Sequence, residues 1–227
     1  MNAARHFAQS YADARAKFLA AVERAGLELH AHVHPLIGRD GETLAMDVAR
    51  FGPADARAVL IVSSACHGVE GYCGSGIQGA LLADSGLHAA ATAAGVALLY
   101  IHALNPYGFS WLRRATHENV DLNRNFVDFG QPLSDHPDYA AIHEWLLPAA
   151  WPPHPEGEAE LAARLEAMGP RRAQMAVTKG QHTHPHGMYF GGSGPTWSAR
   201  VFREVLRRHA GRCRRLAWID LHTGLGP

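Results

Sequence analysis

Two short apolar runs constrain this chain more than any other feature. AVLIVSSAC (58–66) and VALLYIHALNP (96–106) are rich in β-formers and lack the alternation of a half-solvated strand. Each ends in small residues, Gly or Pro, so each is predicted to be a strand buried on both faces. Between them, GSGIQGALLADSGLHAAATAAG (74–95) has helical composition and closes on Gly95. Strand, helix and strand in that order imply parallel pairing through a crossover. RLAWIDLHTG (215–224) is predicted to be a third buried strand, ending in polar residues. An α/β fold follows.

The rest of the chain fits around that unit. MNAARHFAQSYADARAKFLAAVERAG (1–26) has an amphipathic pattern with basic residues throughout, which predicts a helix rather than an export signal. LELHAHVHPLIG (27–38) and ETLAMDVARFG (42–52) are extended segments joined by RDG, a hairpin signal. DYAAIHEWLLPAA (138–150), EGEAELAARLEAMG (156–169) and WSARVFREVLRRHAG (197–211) are helical by period, with WPPHPEG as a breaker between the first two. There is no internal repeat and no linker-like stretch, so residues 1–227 are expected to form a single domain.

Composition narrows the function classes. The chain has 21 Lys and Arg against 21 Asp and Glu, which leaves no electrostatic footprint for nucleic acid or an acidic membrane surface. No apolar run is long enough to cross a bilayer. Three cysteines without framework spacing suit reduced thiols, and a cytoplasmic location is the expectation. Histidine is abundant at 16, but His30, His32 and His34 alternate on one strand face that is expected to be solvated, so abundance alone marks no ligand.

Ligand sites in open α/β sheets gather beyond the carboxyl ends of the strands. Polar clusters stand at all three ends: CHGVEG, NPYGFSWLRR and DLHTG. A catalytic zinc site commonly uses three His or carboxylate ligands. His67 and Glu70, three apart in a short turn, supply two, and His222 is the natural third. The alternative is a helix-capping His beside an exposed Glu. In VDLNRNF, Asn123 and Arg124 suit a grip on a carboxylate, because the guanidinium forks onto two oxygens; ordinary surface salt bridges would account for them equally. Arg113 or Arg114 could steady negative charge on a carbonyl oxygen. HTHPHGMYFGGSGPTW (182–197) offers His182, His184 and His186 as a second metal site, as a loop over the crevice with Tyr189 shaping substrate entry, or as a solvated loop with incidental histidines. Cys66 directly precedes His67 and is expected to point to the opposite face and be packed.

Taken in order, HGVEG (67–71), NPYG (105–108), RR (113–114), VDLNRNF (120–126) and IDLHTG (219–224) resemble the zinc carboxypeptidase superfamily, the group around carboxypeptidase A. The resemblance is closer still to a bacterial branch catalogued as a domain of unknown function. It implies one zinc ion on His67, Glu70 and His222, with Asn123 and Arg124 on the substrate's terminal carboxylate. Arg114 best matches the oxyanion-stabilising arginine, with Arg113 the fallback. The implied fold is a mixed, mainly parallel sheet flanked by helices, phosphorylase/hydrolase-like, and the implied activity is zinc-dependent hydrolysis of a C-terminal amide bond. One departure bears on that activity: the family's general base is a glutamate on a strand well after the last zinc histidine, and TGLGP, which follows His222, holds no carboxylate. The chain is therefore expected to be the N-terminal two thirds or so of the catalytic domain. Expected substrates are peptides or N-acyl amino acids with a free carboxylate. A deacylase resembling aspartoacylase and succinylglutamate desuccinylase, or a non-catalytic metal- or carboxylate-binding fragment, are the alternatives.

Overall fold

The computed structural model describes residues 3–133 and 135–224. In chain order, a 3-10 turn at Ala3–His6 precedes α1 (Tyr11–Arg24), β1 (Leu29–Ile37), β2 (Thr43–Phe51) and β3 (Ala58–Ser64). There follow α2 (Gly71–Leu82), α3 (Ser85–Ala93), β4 (Val96–His102) and α4 (Pro106–Ser110). The last elements are α5 (Pro137–Ala140), α6 (His143–Leu146), α7 (Pro155–Met168), α8 (Pro170–Thr178), α9 (Trp197–Ala210) and β5 (Arg215–Leu221). Residues 118–196 form one compact unit, and the segments before and after them form another.

The larger unit carries a five-stranded sheet in the order β1-β2-β4-β3-β5. β3 pairs parallel with β4 and with β5, while β2 pairs antiparallel with both β1 and β4. Two reversals cancel, so β1 runs with the other three and β2 alone is reversed: a mixed, mainly parallel sheet. The hairpin forms where RDG predicts it, with Gly41 at φ +83°, a conformation that an L side chain adopts only with strain.

Helices cover both faces. Phe18, Ala21 and Val22 of α1, Leu82 of α2 and Ala91 of α3 pack with Ala49, Val62, Leu98 and Tyr100 of the strands. On the other face α9 sets Phe202 against Trp218, ring centroids 5.1 Å apart, and Trp218 lies in register beside Ile61. Arg15 of α1 reaches the fully buried Asp47 of β2 with two bonds of 2.7 and 3.1 Å, which keeps that carboxylate from being an unpaired buried charge.

Four expectations change. The helical stretch over 74–95 is two helices, because Asp84 accepts from the amides of Gly86 and Leu87 and caps a new start. The N-terminal helix begins only at Tyr11, after Ser10 caps it through the Asp13 amide; Met1 and Asn2 lie outside the described residues. The face of His30, His32 and His34 is not solvated: the first two are half-buried, and His34 is buried with Trp197 and His117 at 4.7 and 5.0 Å. β5, expected to be buried, is one of the two outer strands among the described residues, with Leu216, Trp218 and Ile219 about half exposed. An apolar run shows that a strand is apolar, not how many neighbours it has. The closing residues 225–227 lie outside the described residues.

Candidate metal centre

β3 ends at Ser64, and the chain leaves it through Ala65, a left-handed residue at φ 59°. His67 is extended, Gly68–Glu70 form a single 3-10 turn, and that turn runs straight into α2. This local path brings His67 Nδ1 to 3.2 Å from Glu70 Oε1. β5 lies beside β3 with Leu221 in register with Ser64, so His222 emerges next to the same turn. Its Nδ1 stands 3.0 Å from Glu70 Oε2 and 3.2 Å from His67 Nδ1.

The turn is held from the α4 side. The amides of Gly68 and Val69 donate to the carbonyls of Arg114 and Arg113 at 3.3 and 3.1 Å. Asn105 caps α4 by accepting from Gly108 and donates to the Arg114 carbonyl. A Cβ on Gly68 would lie 2.1 Å from the Gly108 carbonyl carbon, so no other residue fits between the two segments. Below the turn, the buried Gln78 of α2 donates to the carbonyls of Val62 and Ile101 and accepts from Ser64 Oγ. Gln78 thus ties the ends of β3 and β4 beneath the centre.

The donor chemistry fits a cation. A carboxylate only accepts, so Asp220 Oδ2 at 2.7 Å from His222 Nε2 means that this nitrogen carries the proton. In a neutral imidazole Nδ1 then presents a lone pair, and it faces the carboxylate of Glu70 and a nitrogen of His67. Lone pairs at such distances repel unless protons or a cation lie among them; a divalent ion satisfies all three at once. An ion with ligands at 2.0–2.1 Å in tetrahedral array spaces them about 3.3 Å apart, close to the 3.0–3.2 Å found here. Burial alone would push the Glu70 carboxyl up, but the Thr223 amide and the two imidazoles outweigh it and hold the group below the usual range. His67, Glu70 and His222 therefore form a set that can hold a metal ion.

Asp220 was not singled out in the sequence. Ser63 Oγ donates to its Oδ1 and Trp218 Nε1 donates to Ser63 Oγ, so a chain of three bonds from sheet to imidazole sets the ring's orientation. The signal was the DxH spacing, which puts Asp220 and His222 on one side of an extended chain.

The other predicted residues are distributed as follows. Arg113 is exposed and Arg114 half-buried, both fixed beside the turn through their main chain. Asn123 and Arg124 belong to the second unit, in a 3-10 turn capped by the buried Asp121. Asn123 is exposed; Arg124 donates through one terminal nitrogen to the Thr178 carbonyl, and its buried Nε has no hydrogen-bond partner. Asn125 holds the loop that follows: it bonds the carbonyls of Gly191 and Gly194 and the amide and hydroxyl of Thr196. In the 182–197 stretch, His182 bonds the Gly192 carbonyl and His184 lies against His143. Among the described residues none of His182, His184 and His186 joins a donor group close enough to share an ion. Cys66 is 2% exposed, packed as expected.

The sheet with its helices on both faces is a fold shared with solved structures at low identity. The crystal structure of thrombin-activatable fibrinolysis inhibitor matches over 93% of this chain and 48% of its own, with a TM-score of 0.54 and 14% identity. Carboxypeptidase A from Helicoverpa armigera matches over 96% and 46%, with a TM-score of 0.49 and 13% identity. This chain thus spans about half the length of the structures it resembles. No curated protein matches it. Residues 7–227 match the model of the DUF2817 family, described as a protein of unknown function, and the chain belongs to that family.

Proposed function

We propose that the protein to which this chain belongs is a zinc-dependent hydrolase that cuts a C-terminal amide bond of a peptide or peptide-like substrate. The observation that carries this reading is the convergence of His67, Glu70 and His222 beyond the ends of β3 and β5. When bound, zinc would polarise the scissile carbonyl and lower the pKa of a water beside it.

The chain's own side chains then have separate tasks. Glu70 stays an anion and His222 keeps its ring fixed through Asp220, so the ligand set stands preorganised. Arg114, or Arg113 in its place, steadies negative charge on the carbonyl oxygen. Asn123 and Arg124 take the substrate's terminal carboxylate, for which a forked guanidinium beside an amide donor is suited. The proposed location is the cytoplasm; among the described residues no helix is long and apolar enough to cross a membrane.

The test is metal analysis followed by substrate comparison on the full gene product. About one zinc per chain is expected, falling to near zero in His67→Ala; unchanged zinc in that variant removes the site. Release of C-terminal amino acids from free-carboxylate peptides is expected. Hydrolysis of N-acyl amino acids alone would establish a deacylase instead, and neither reaction with zinc bound would establish a binding protein.

A further inference from the structure

His222 belongs to two donor groups. One is the set with His67 and Glu70. The other joins Cys66, Asp220 and His222, whose ligand atoms all lie within 4.8 Å of one another. Cys66 follows the left-handed Ala65 at the end of β3, and its side chain is enclosed beside the β5 end that bears Asp220 and His222.

We propose that Cys66, Asp220 and His222 form a second metal position, selective for soft, thiophilic divalent ions, that competes with the first for His222. The competition rests on the reading of His67, Glu70 and His222 as a metal set; the second position does not. A thiolate, a carboxylate and an imidazole make a softer set than two imidazoles and a carboxylate, so cadmium prefers the former and zinc accepts the latter. The protons balance as follows. The Cys66 thiol releases its proton to solvent as the metal–sulfur bond forms. The imidazole proton moves from Nε2, which turns from Asp220 to the ion, to Nδ1, where Glu70 Oε2 at 3.0 Å accepts it. A neutral imidazole has one lone pair, so His222 serves one ion at a time. An ion on the Cys66 side withdraws the third ligand from the zinc set. Thiophilic ions thus displace zinc instead of adding to it.

The experiment loads metal-free protein with cadmium and reads the near-ultraviolet thiolate-to-cadmium charge-transfer absorption. The band is expected in the wild type, lost in Cys66→Ser and retained in His67→Ala, where the first set is gone. Zinc content of Cys66→Ser is expected to remain at the wild-type level, which also shows that this variant is folded. No band in the wild type, or a band that survives Cys66→Ser and so arises from Cys73 or Cys213, overturns the proposal. Loss of the band in a folded His67→Ala overturns it too, because Cys66 would then belong to one joint site. A zinc-free His67→Ala that still shows the band supports both positions, whereas zinc retained in His67→Ala overturns only the first.

Discussion

Asp220 touches the centre only through His222, yet it decides which imidazole nitrogen is available. Without a fixed acceptor at Nε2 the ring can present the wrong tautomer and rotate. Asp220→Asn is expected to weaken zinc binding by about 10–100-fold, the range for outer partners of metal ligands. Competition with a chromophoric chelator measures it, and a change smaller than about twofold would mean that the ring is held by other contacts. At this scale the sequence was readable where chemistry is local. His67 and Glu70 share one turn, and three residues of spacing suffice to bring them together. Asp220 and Gln78 were not readable as site residues, because what they do depends on strands that are distant in sequence: Gln78 on β3 and β4, Asp220 on Ser63 and Trp218.

The element that makes the centre is the turn between β3 and α2. Gly68 lies against the α4 backbone, and a methyl group there would meet Gly108 and Phe109 within 2.1–2.3 Å. Because main chain cannot rotate aside as a flexible side chain does, Gly68→Ala is expected to destabilise the fold by on the order of 3 kcal/mol and to lower zinc content as the turn shifts. Urea unfolding together with metal analysis checks both; wild-type values for both would show that the turn relaxes freely. Strand existence and order of appearance were legible from apolar runs and punctuation. Neighbourhood was not: the same apolar pattern serves β4, enclosed between β2 and β3, and β5, which pairs with β3 alone among the described residues. The break between α2 and α3 did have a signal in Asp84 and Gly86, but a run of Ala and Leu outweighed it.

For the molecule as a whole, histidines withdrawn from water contribute to the response to acid. Burial pushes His102, which is fully enclosed and stacked on Phe18, down to about 4, and partial burial, aided by His30 and nearby arginines, pushes the half-buried His209 also to about 4. In the unfolded chain these groups take up protons near 6.5. The unfolded state therefore binds more protons as pH falls, and the stability contributed by neutral His102 is complete above about pH 6.5 and is lost progressively toward pH 4. For His102 alone the loss is on the order of 3 kcal/mol. Denaturant midpoints at pH 7 and pH 5 should differ, and the difference should shrink in His102→Asn; an equal pH response in that variant would assign the acid sensitivity elsewhere. Neither burial was visible in the sequence, where 16 histidines look alike.

His222 stands one residue beyond the end of β5. Among the described residues β5 pairs with β3 alone, and such a strand opens more readily than one held on both sides. An ion that grips His222 from a turn anchored to α2 and α4 would therefore act as a clasp on the end of that strand. Occupancy of the centre and the seating of β5 against β3 become a single thermodynamic quantity, so that chelation would loosen architecture as well as chemistry.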